Sequence, residues 1–543
     1  MSNKLIRGTM ILTIGTYLSR LLGIIYIIPF YWLVGEEGNA LYQSGYSQYV
    51  IFIAIATAGF PQGVSKFVSK YNSLGDYETS RKMFKVGFIT MLFTGFAAFF
   101  ILFLIAPFLA SAFLSDQSLG GFTVDDVTHI IRMVSFALIV VPIMGLIRGF
   151  FQGHQSMGPT AVSQVMEQLI RIIFLLVATF LTLNVFNNSL VTAVGYATFA
   201  AFIGAIGGLF VLLWYWKKRK DSLLAMQENI VPSAQFSTRT MLKEIFRYAG
   251  PFVFVGLAIP LYNYIDTNTF NRAMSLGGYG QALTLFGVLA LVSKIIMIPV
   301  SLATAFGLTI VPTMTTAYTE GKMDLVKQQI DQSFQIIMFF ILPAVVGIYL
   351  LAEPLYSLFF SYDPVGSSVL ATYSPIALLF SFFTVSAAIL QGVNKQKLAV
   401  ISLALGLVVK ASLNIPLIIL FAEKGAIYAT GIGFFVSIVY SLAMIKRHAN
   451  YSFERFLKRS MFMAILTIIM SMSIIVAMIV LNLFINFEDG KIPSLIYVLI
   501  TVSIGGFTYL YLSYKTPLLE TIFGGRFTNI KFKVKRRRNK HEN

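Results

Sequence analysis

Fourteen apolar runs of about twenty residues constrain this chain more than any other feature of its sequence. Hydrocarbon offers the backbone no water to bond, so a run of that length is committed to a membrane-spanning helix. The runs fall at approximately 8–34, 42–68, 83–109, 128–152, 161–184, 190–216, 245–270, 281–312, 328–352, 368–393, 397–421, 425–446, 458–485 and 492–514, here called spans 1 to 14. Lys4 and Arg7 precede the first run, which is longer than a signal peptide and holds Arg20, so it reads as a retained span. Only 12% of the residues are charged and mean hydropathy is +0.77, whereas a soluble domain carries about 25% charged residues. Disorder, collagen and coiled coil are excluded by the same figures.

The loops fix an orientation for these spans. Lys70, Arg81, Lys82 and Lys85 follow span 2, Lys217, Lys218, Arg219, Lys220 and Arg239 follow span 6, and Lys446, Arg447 and Arg455 follow span 12. The tail adds Lys531, Lys533, Lys535, Arg536, Arg537, Arg538 and Lys540. The alternate loops carry Glu36, Glu37, Asp116, Asp125, Asp126, Glu353, Asp363, Glu488 and Asp489. Roughly thirty cations on one side against about three on the other place both termini in the cytoplasm. An even number of spans is required, and fourteen satisfies it. The basic tail reads as a topology signal near anionic headgroups, at ~1 kcal/mol per cation. No folded nucleic-acid motif accompanies it, so no nucleic-acid partner is expected.

Spans 1–6 and 7–12 read as a repeat. Gln152-Gly153 closes span 4 and Arg171 follows in span 5; Gln391-Gly392 closes span 10 and Lys410 follows in span 11. Both pairs, and Ser163 with Ser402, are offset by 239 residues. A six-helix repeat keeps its orientation, so the expected fold is an all-α polytopic membrane protein with two parallel six-helix lobes around a central cavity, plus two C-terminal helices. The expected divisions are an N-lobe over 1–216, a cytoplasmic linker over 217–243, a C-lobe over 244–446, spans 13 and 14 over 447–514, and a basic cytoplasmic tail over 515–543.

Ionisable groups inside spans cost at least ~2.5–3.5 kcal/mol on insertion scales and mark a wet cavity or a partner. Arg20, Lys294, Lys410 and Arg171 are the deep bases, read as substrate-binding residues of the central cavity; Glu167 and Asp266 are the acids. Glu167 and Arg171 stand four apart, within reach of an intrahelical ion pair. Asp266 reads as a counter-charge, a cation or proton site, or an interfacial residue. Arg148 is read as snorkelling from the end of span 4. Gly204 and Gly208 form a close-packing G-x-x-x-G, and the aromatic residues read as packing and lipid-facing surface with no stacking platform. An excess of cations in a low-dielectric cavity selects an anion, and the planar fork of arginine suits phosphate oxygens. The expected substrate is a phosphate or pyrophosphate. There is no cysteine, and His129, His154, His448 and His541 are scattered, so neither a metal nor a cofactor is expected.

Tyr17-Leu18-Ser19-Arg20-Leu21-Leu22-Gly23, Ala58-Gly59-Phe60-Pro61 and Gln152-Gly153 together resemble the MOP exporter superfamily. The resemblance is to its polysaccharide-biosynthesis branch, and most to the fourteen-span MurJ-type lipid II flippases of Gram-positive bacteria. It implies a non-enzymatic flippase in the bacterial cytoplasmic membrane whose substrate is a lipid-linked pyrophosphate glycan, with membrane lipids and wall-synthesis proteins as partners. It also implies that Arg20 lines the cavity and meets the pyrophosphate, that Lys294 stands where relatives carry a span-8 arginine, and that spans 13 and 14 border a groove for the polyprenyl tail. Tyr26, Ile27 and Ala58 stand where relatives place charges, and Arg171 and Lys410 are expected to compensate. Flippases for teichoic-acid, capsule or spore precursors, multidrug exporters and a polytopic glycosyltransferase are the competing readings.

Overall fold

The apolar runs become long helices in the computed structural model, which describes residues 15–114, 121–225 and 250–523 apart from 17, 20, 21, 24, 58, 74 and 252. Arg20, most of the linker at 217–243 and the tail beyond residue 523 lie outside the described residues. Eleven helices among those described are long and apolar enough to cross a membrane. They are Tyr77–Leu114, Val124–Gly153, Met157–Val185, Leu190–Arg219, Ala282–Thr304, Met323–Leu350, Pro364–Gly392, Gln396–Phe421, Glu423–Ala449, Glu454–Leu481 and Lys491–Lys515. Each matches one expected span, from 3 to 6 and from 8 to 14.

Spans 1, 2 and 7 take other forms. Ile27–Thr57 is two helices joined at Gly35, whose φ of +66° favours a residue without a Cβ. That break separates span 1 from span 2. Span 2 is itself interrupted at Gly59, and Phe60–Ser73 continues as a separate helix. In span 7 the described helix is Ala258–Leu276, which carries Asn263, Asp266, Asn268 and Asn271. Of these, Asp266 and Asn271 are buried inside the fold.

The described residues pack as two compact units. One takes those up to Leu291 together with Lys410–Ala426, and the other takes Val292–Val409 and those from Ile427 onward. The helices of spans 8 and 11 each run from one unit into the other.

In the first unit, Phe60, Val64 and Phe67 bury themselves against Met91, Leu146 and Phe150, with Trp216 alongside. In the second, spans 13 and 14 dock on span 9 through Phe339, Met463, Met470, Tyr497 and Tyr509, the Phe339 and Tyr509 rings lying 5.3 Å apart. A polar clamp holds the end of that docking. Asp331 accepts from Arg459 Nη1 at 3.0 Å, from Tyr451 Oη at 2.9 Å and from Gln335 Nε2 at 2.5 Å. Arg459 and Tyr451 thereby tie span 13 and its connector to span 9, while Gln335, on the same helix as Asp331, completes the carboxylate.

Candidate functional site

Span 5 carries Glu167 and Arg171 on the helix Met157–Phe180. Its packing against span 6 is set by small residues. A Cβ at Gly204 would lie 2.7 Å from Arg171 Cβ and 2.8 Å from the Glu167 carbonyl oxygen. The two backbones therefore meet where Glu167 and Arg171 leave the helix. Gly204→Ala should lower the thermal midpoint of the detergent-solubilised protein by an amount equivalent to ~1–3 kcal/mol of overpacking. At Gly208 the added Cβ would meet Met144 Sδ at 2.9 Å, in a flexible side chain, and Glu167 Cβ at 3.1 Å, with no backbone atom as close as at Gly204, so the effect of Gly208→Ala should be smaller. A reversed order of the two variants overturns this account.

Glu167 does not pair with Arg171. Arg148 Nη2 takes it at 2.8 Å and also donates to Ser163 Oγ at 2.7 Å, while Ser163 Oγ donates to the Gly208 carbonyl at 2.9 Å. Arg148 thus holds an interhelical ion pair instead of reaching for the interface. A guanidinium approaching from the neighbouring helix meets the carboxylate in a better geometry than one on the same helix face. Ser402, which is 239 residues after Ser163, likewise donates to a carbonyl of the following span, that of Ser437 at 2.7 Å.

Arg171 turns to aromatic partners. Its Nη2 donates to Tyr42 Oη at 2.9 Å and its guanidinium lies 5.0 Å from the Tyr46 ring centroid. Tyr42 and Tyr46 stack at 5.6 Å and 16°, Tyr49 lies 5.8 Å beyond Tyr46, and Tyr26 Oη is 3.4 Å from Tyr42 Oη. Phe30 closes the edge of Tyr42 at 5.2 Å. This stacking platform was missed in the sequence. The signal was the spacing of Tyr42, Tyr46 and Tyr49 by four and three residues, which puts them on one helical face.

Lys410 is fully buried. Its Nζ donates to Asp266 Oδ1 at 2.7 Å, lies 3.4 Å from Asn414 Oδ1 and 3.5 Å from the Ala426 carbonyl, and sits 5.7 Å from the Tyr262 ring centroid. Asn414 Nδ2 in turn donates to Thr269 Oγ1 at 2.7 Å. Spans 7, 11 and 12 meet at this ammonium. The fold thus joins two residues that the sequence leaves apart, and Lys410 presents no exposed surface here. Lys294 lies partly buried on the helix Ala282–Thr319, in the second unit, whereas Arg171, Asp266 and Lys410 belong to the first.

Residues 5–318 match the family described as polysaccharide biosynthesis protein, and residues 269–416 match MatE. The chain is 57% identical over 533 residues to the lipid II flippase MurJ of Bacillus subtilis (strain 168), spanning 97% of this chain and 98% of that one. It is 24% identical to stage V sporulation protein B of the same organism, over 75% of this chain and 76% of that one. Among solved structures, lipid II flippase MurJ in an inward closed conformation matches with a TM-score of 0.65 at 16% identity, covering 93% of this chain and 98% of that one. A multidrug resistance MATE family transporter of the MOP superfamily, inward-facing, matches at 0.62 and 17% identity, covering 80% and 94%. At those identities the two structures speak for the fold.

Proposed function

Since the chain belongs to the polysaccharide biosynthesis protein family, we propose that it is a flippase moving lipid II across the bacterial cytoplasmic membrane. The near full-length likeness to the lipid II flippase of Bacillus subtilis carries this reading. The protein is a transporter and not a catalyst. Its many apolar helices are the multi-pass body that such transport needs.

The finer mechanism is proposed on chemical grounds. Of fourteen spans, with both termini in the cytoplasm, the first twelve form two parallel six-span repeats that expose the deep cations to one leaflet at a time. Arg20, Lys294 and Arg171 receive the pyrophosphate, and Lys410 with Asp266 braces span 11. Glu167 serves as the counter-charge to Arg148. Spans 13 and 14 border the path of the polyprenyl tail, which stays in lipid while the headgroup crosses. The linker at 217–243 joins the repeats, the tail at 515–543 lies at the cytoplasmic headgroups, and proteins of wall synthesis are partners. The cations also couple headgroup movement to membrane potential, at ~2.3 kcal/mol per charge per 100 mV.

Reconstitution tests the substrate. Proteoliposomes holding the full chain should translocate lipid II faster than a teichoic-acid precursor on the same polyprenyl carrier. Equal rates, or a preference for the second lipid, would move the assignment to another lipid-linked glycan.

A further inference from the structure

The end of span 9 that the proposed orientation puts in the cytoplasm carries a polar face that the proposed mechanism leaves unused. Asp324, Lys327, Gln328, Asp331, Gln332 and Gln335 recur three and four residues apart on the helix Met323–Leu350, so they share one side of it. That side forms one wall of a cavity of about 850 Å³. The connector before span 13 and the start of that span form the other wall, with Tyr451, Arg455 and Arg459. Ile522, whose carbonyl accepts from Gln332 Nε2 at 3.0 Å, completes the lining. Every lining residue belongs to the second unit. A volume of this size is ordinary for a small-molecule site.

The charges of the cavity leave a positive remainder. Asp331 is satisfied by Arg459 at 3.0 Å and by Tyr451 at 2.9 Å, and Glu454 by Lys458 at 2.6 Å. Among the described residues Lys327 on one wall and Arg455 on the other form no ion pair, and Asp324 is the lining carboxylate without a cation. Two cations against one acid, carried by separate helices, suit an anion held between them. Gln335 is buried, donates Nε2 to Asp331 at 2.5 Å, and leaves its Oε1 buried with no partner among the described residues. A buried amide oxygen without a donor is costly, so the occupant that fits carries hydrogen-bond donors as well as a negative charge.

The lining also turns away other classes of ligand. Tyr451 supplies its only ring, which is buried, packed edge-on by Phe453 at 4.9 Å and committed to Asp331 through its hydroxyl, so no face is open to a nucleobase. Ile522 is the lone aliphatic side chain of the lining, which gives an apolar ligand little to bury against. We propose that this cavity is a second binding site, distinct from the residues assigned to the transported headgroup, and that it takes a small phosphorylated polyol of the glycerol phosphate class. Lys327 and Arg455 hold the phosphate, and the amide-rich wall of span 9 receives the hydroxyls. The same chemistry is offered by a free cytoplasmic metabolite and by the headgroup of phosphatidylglycerol. A ligand held by both walls ties span 9 to span 13 alongside the Asp331 clamp.

The test uses the full chain in phosphatidylcholine nanodiscs, titrated with glycerol 3-phosphate and followed by calorimetry and by the thermal midpoint. Wild type should bind the probe and melt at a higher temperature in its presence. Arg455→Gln and Lys327→Gln, both at solvent-accessible positions, should each weaken binding by roughly tenfold and lose that rise. Lys85→Gln, at an exposed cation of the first unit, should bind as wild type does. Inorganic phosphate should bind more weakly than the polyol phosphate, and glycerol should not compete. Phosphatidylglycerol nanodiscs, with phosphatidylserine nanodiscs as the control of equal charge, separate the two sources. Soluble-probe binding that is the same in both supports a free metabolite, and its selective loss in phosphatidylglycerol supports the lipid headgroup.

No binding of glycerol 3-phosphate by wild type, wild-type affinity in both Arg455→Gln and Lys327→Gln, or inorganic phosphate binding as tightly as the polyol phosphate would overturn the assignment. Displacement of the probe by lipid II would put the cavity on the transport path and overturn its independence. Because binding is read without transport, a failure to flip lipid II bears on the flippase reading and leaves the outcome of this titration standing.

Discussion

Lys410→Met should be among the most damaging single changes in the first unit. It removes the ammonium 2.7 Å from Asp266 and leaves a carboxylate buried between helices. Breaking a buried pair on one side costs about 3–5 kcal/mol, because the remaining charge keeps its desolvation penalty and loses its compensation. The loss should appear as reduced folded yield and a lower thermal midpoint in detergent. The paired variant Lys410→Met with Asp266→Leu removes both charges and should recover most of that loss, since apolar replacement of a whole buried pair is often close to neutral. Asp266→Leu alone should be nearly as damaging as Lys410→Met, for it strands the ammonium. A double variant worse than either single one would show that the pair contributes more than charge compensation, and this account of span 11 would fail. The cycle also separates the two repeat-related cations. Among the described residues no carboxylate pairs with Arg171, so its variant should keep more of its stability than Lys410→Met.

Arg20→Ala combined with Lys294→Ala should abolish growth in a strain that depends on this protein, while the protein still reaches the membrane in normal amount. Truncating one partner of a buried, hydrogen-bonded charge pair costs about 2–5 kcal/mol. At ~1.4 kcal/mol per tenfold, each substitution should weaken headgroup binding by roughly thirtyfold or more. The double variant should then fall below the transport rate needed for wall growth. Arg20→Lys and Lys294→Arg keep the charge and should retain part of the activity, with the larger deficit at Arg20 if bidentate contact with phosphate matters there. Full viability of the double alanine variant at normal abundance would rule out the cationic mechanism.

The fold was legible where its cause is local. Spans 3 to 6 and 8 to 14 coincide with described helices because apolar length by itself forces backbone hydrogen bonds to close within the helix. The close packing at Gly204 was legible for a similar reason, as small residues four apart form a groove on one helix face. Span 2 was read as one uninterrupted run, and the break at Gly59 was missed because a single positive φ leaves no trace in hydropathy. The site was legible as an inventory of residues and much less as an arrangement. Glu167 stands four residues from Arg171, yet Arg148, nineteen residues from Glu167 along the chain, wins it with a direct ion pair. Tyr42 and Tyr46 were counted as packing surface, and only their position beside span 5 makes them partners of a guanidinium.

Sequence alone thus determined that this is a multi-pass helical membrane protein, and it set the expectation that cations within the spans suit an anionic substrate. Those conclusions depend on quantities that add along the chain, namely apolar length, charge and spacing. The tertiary structure decided which cation is compensated. Asp266 reaches Lys410 across 144 residues and seals it, whereas Arg171 is left with tyrosines. Pairing energy in a low-dielectric interior depends on separations of a few ångströms, which helix packing sets and sequence distance does not.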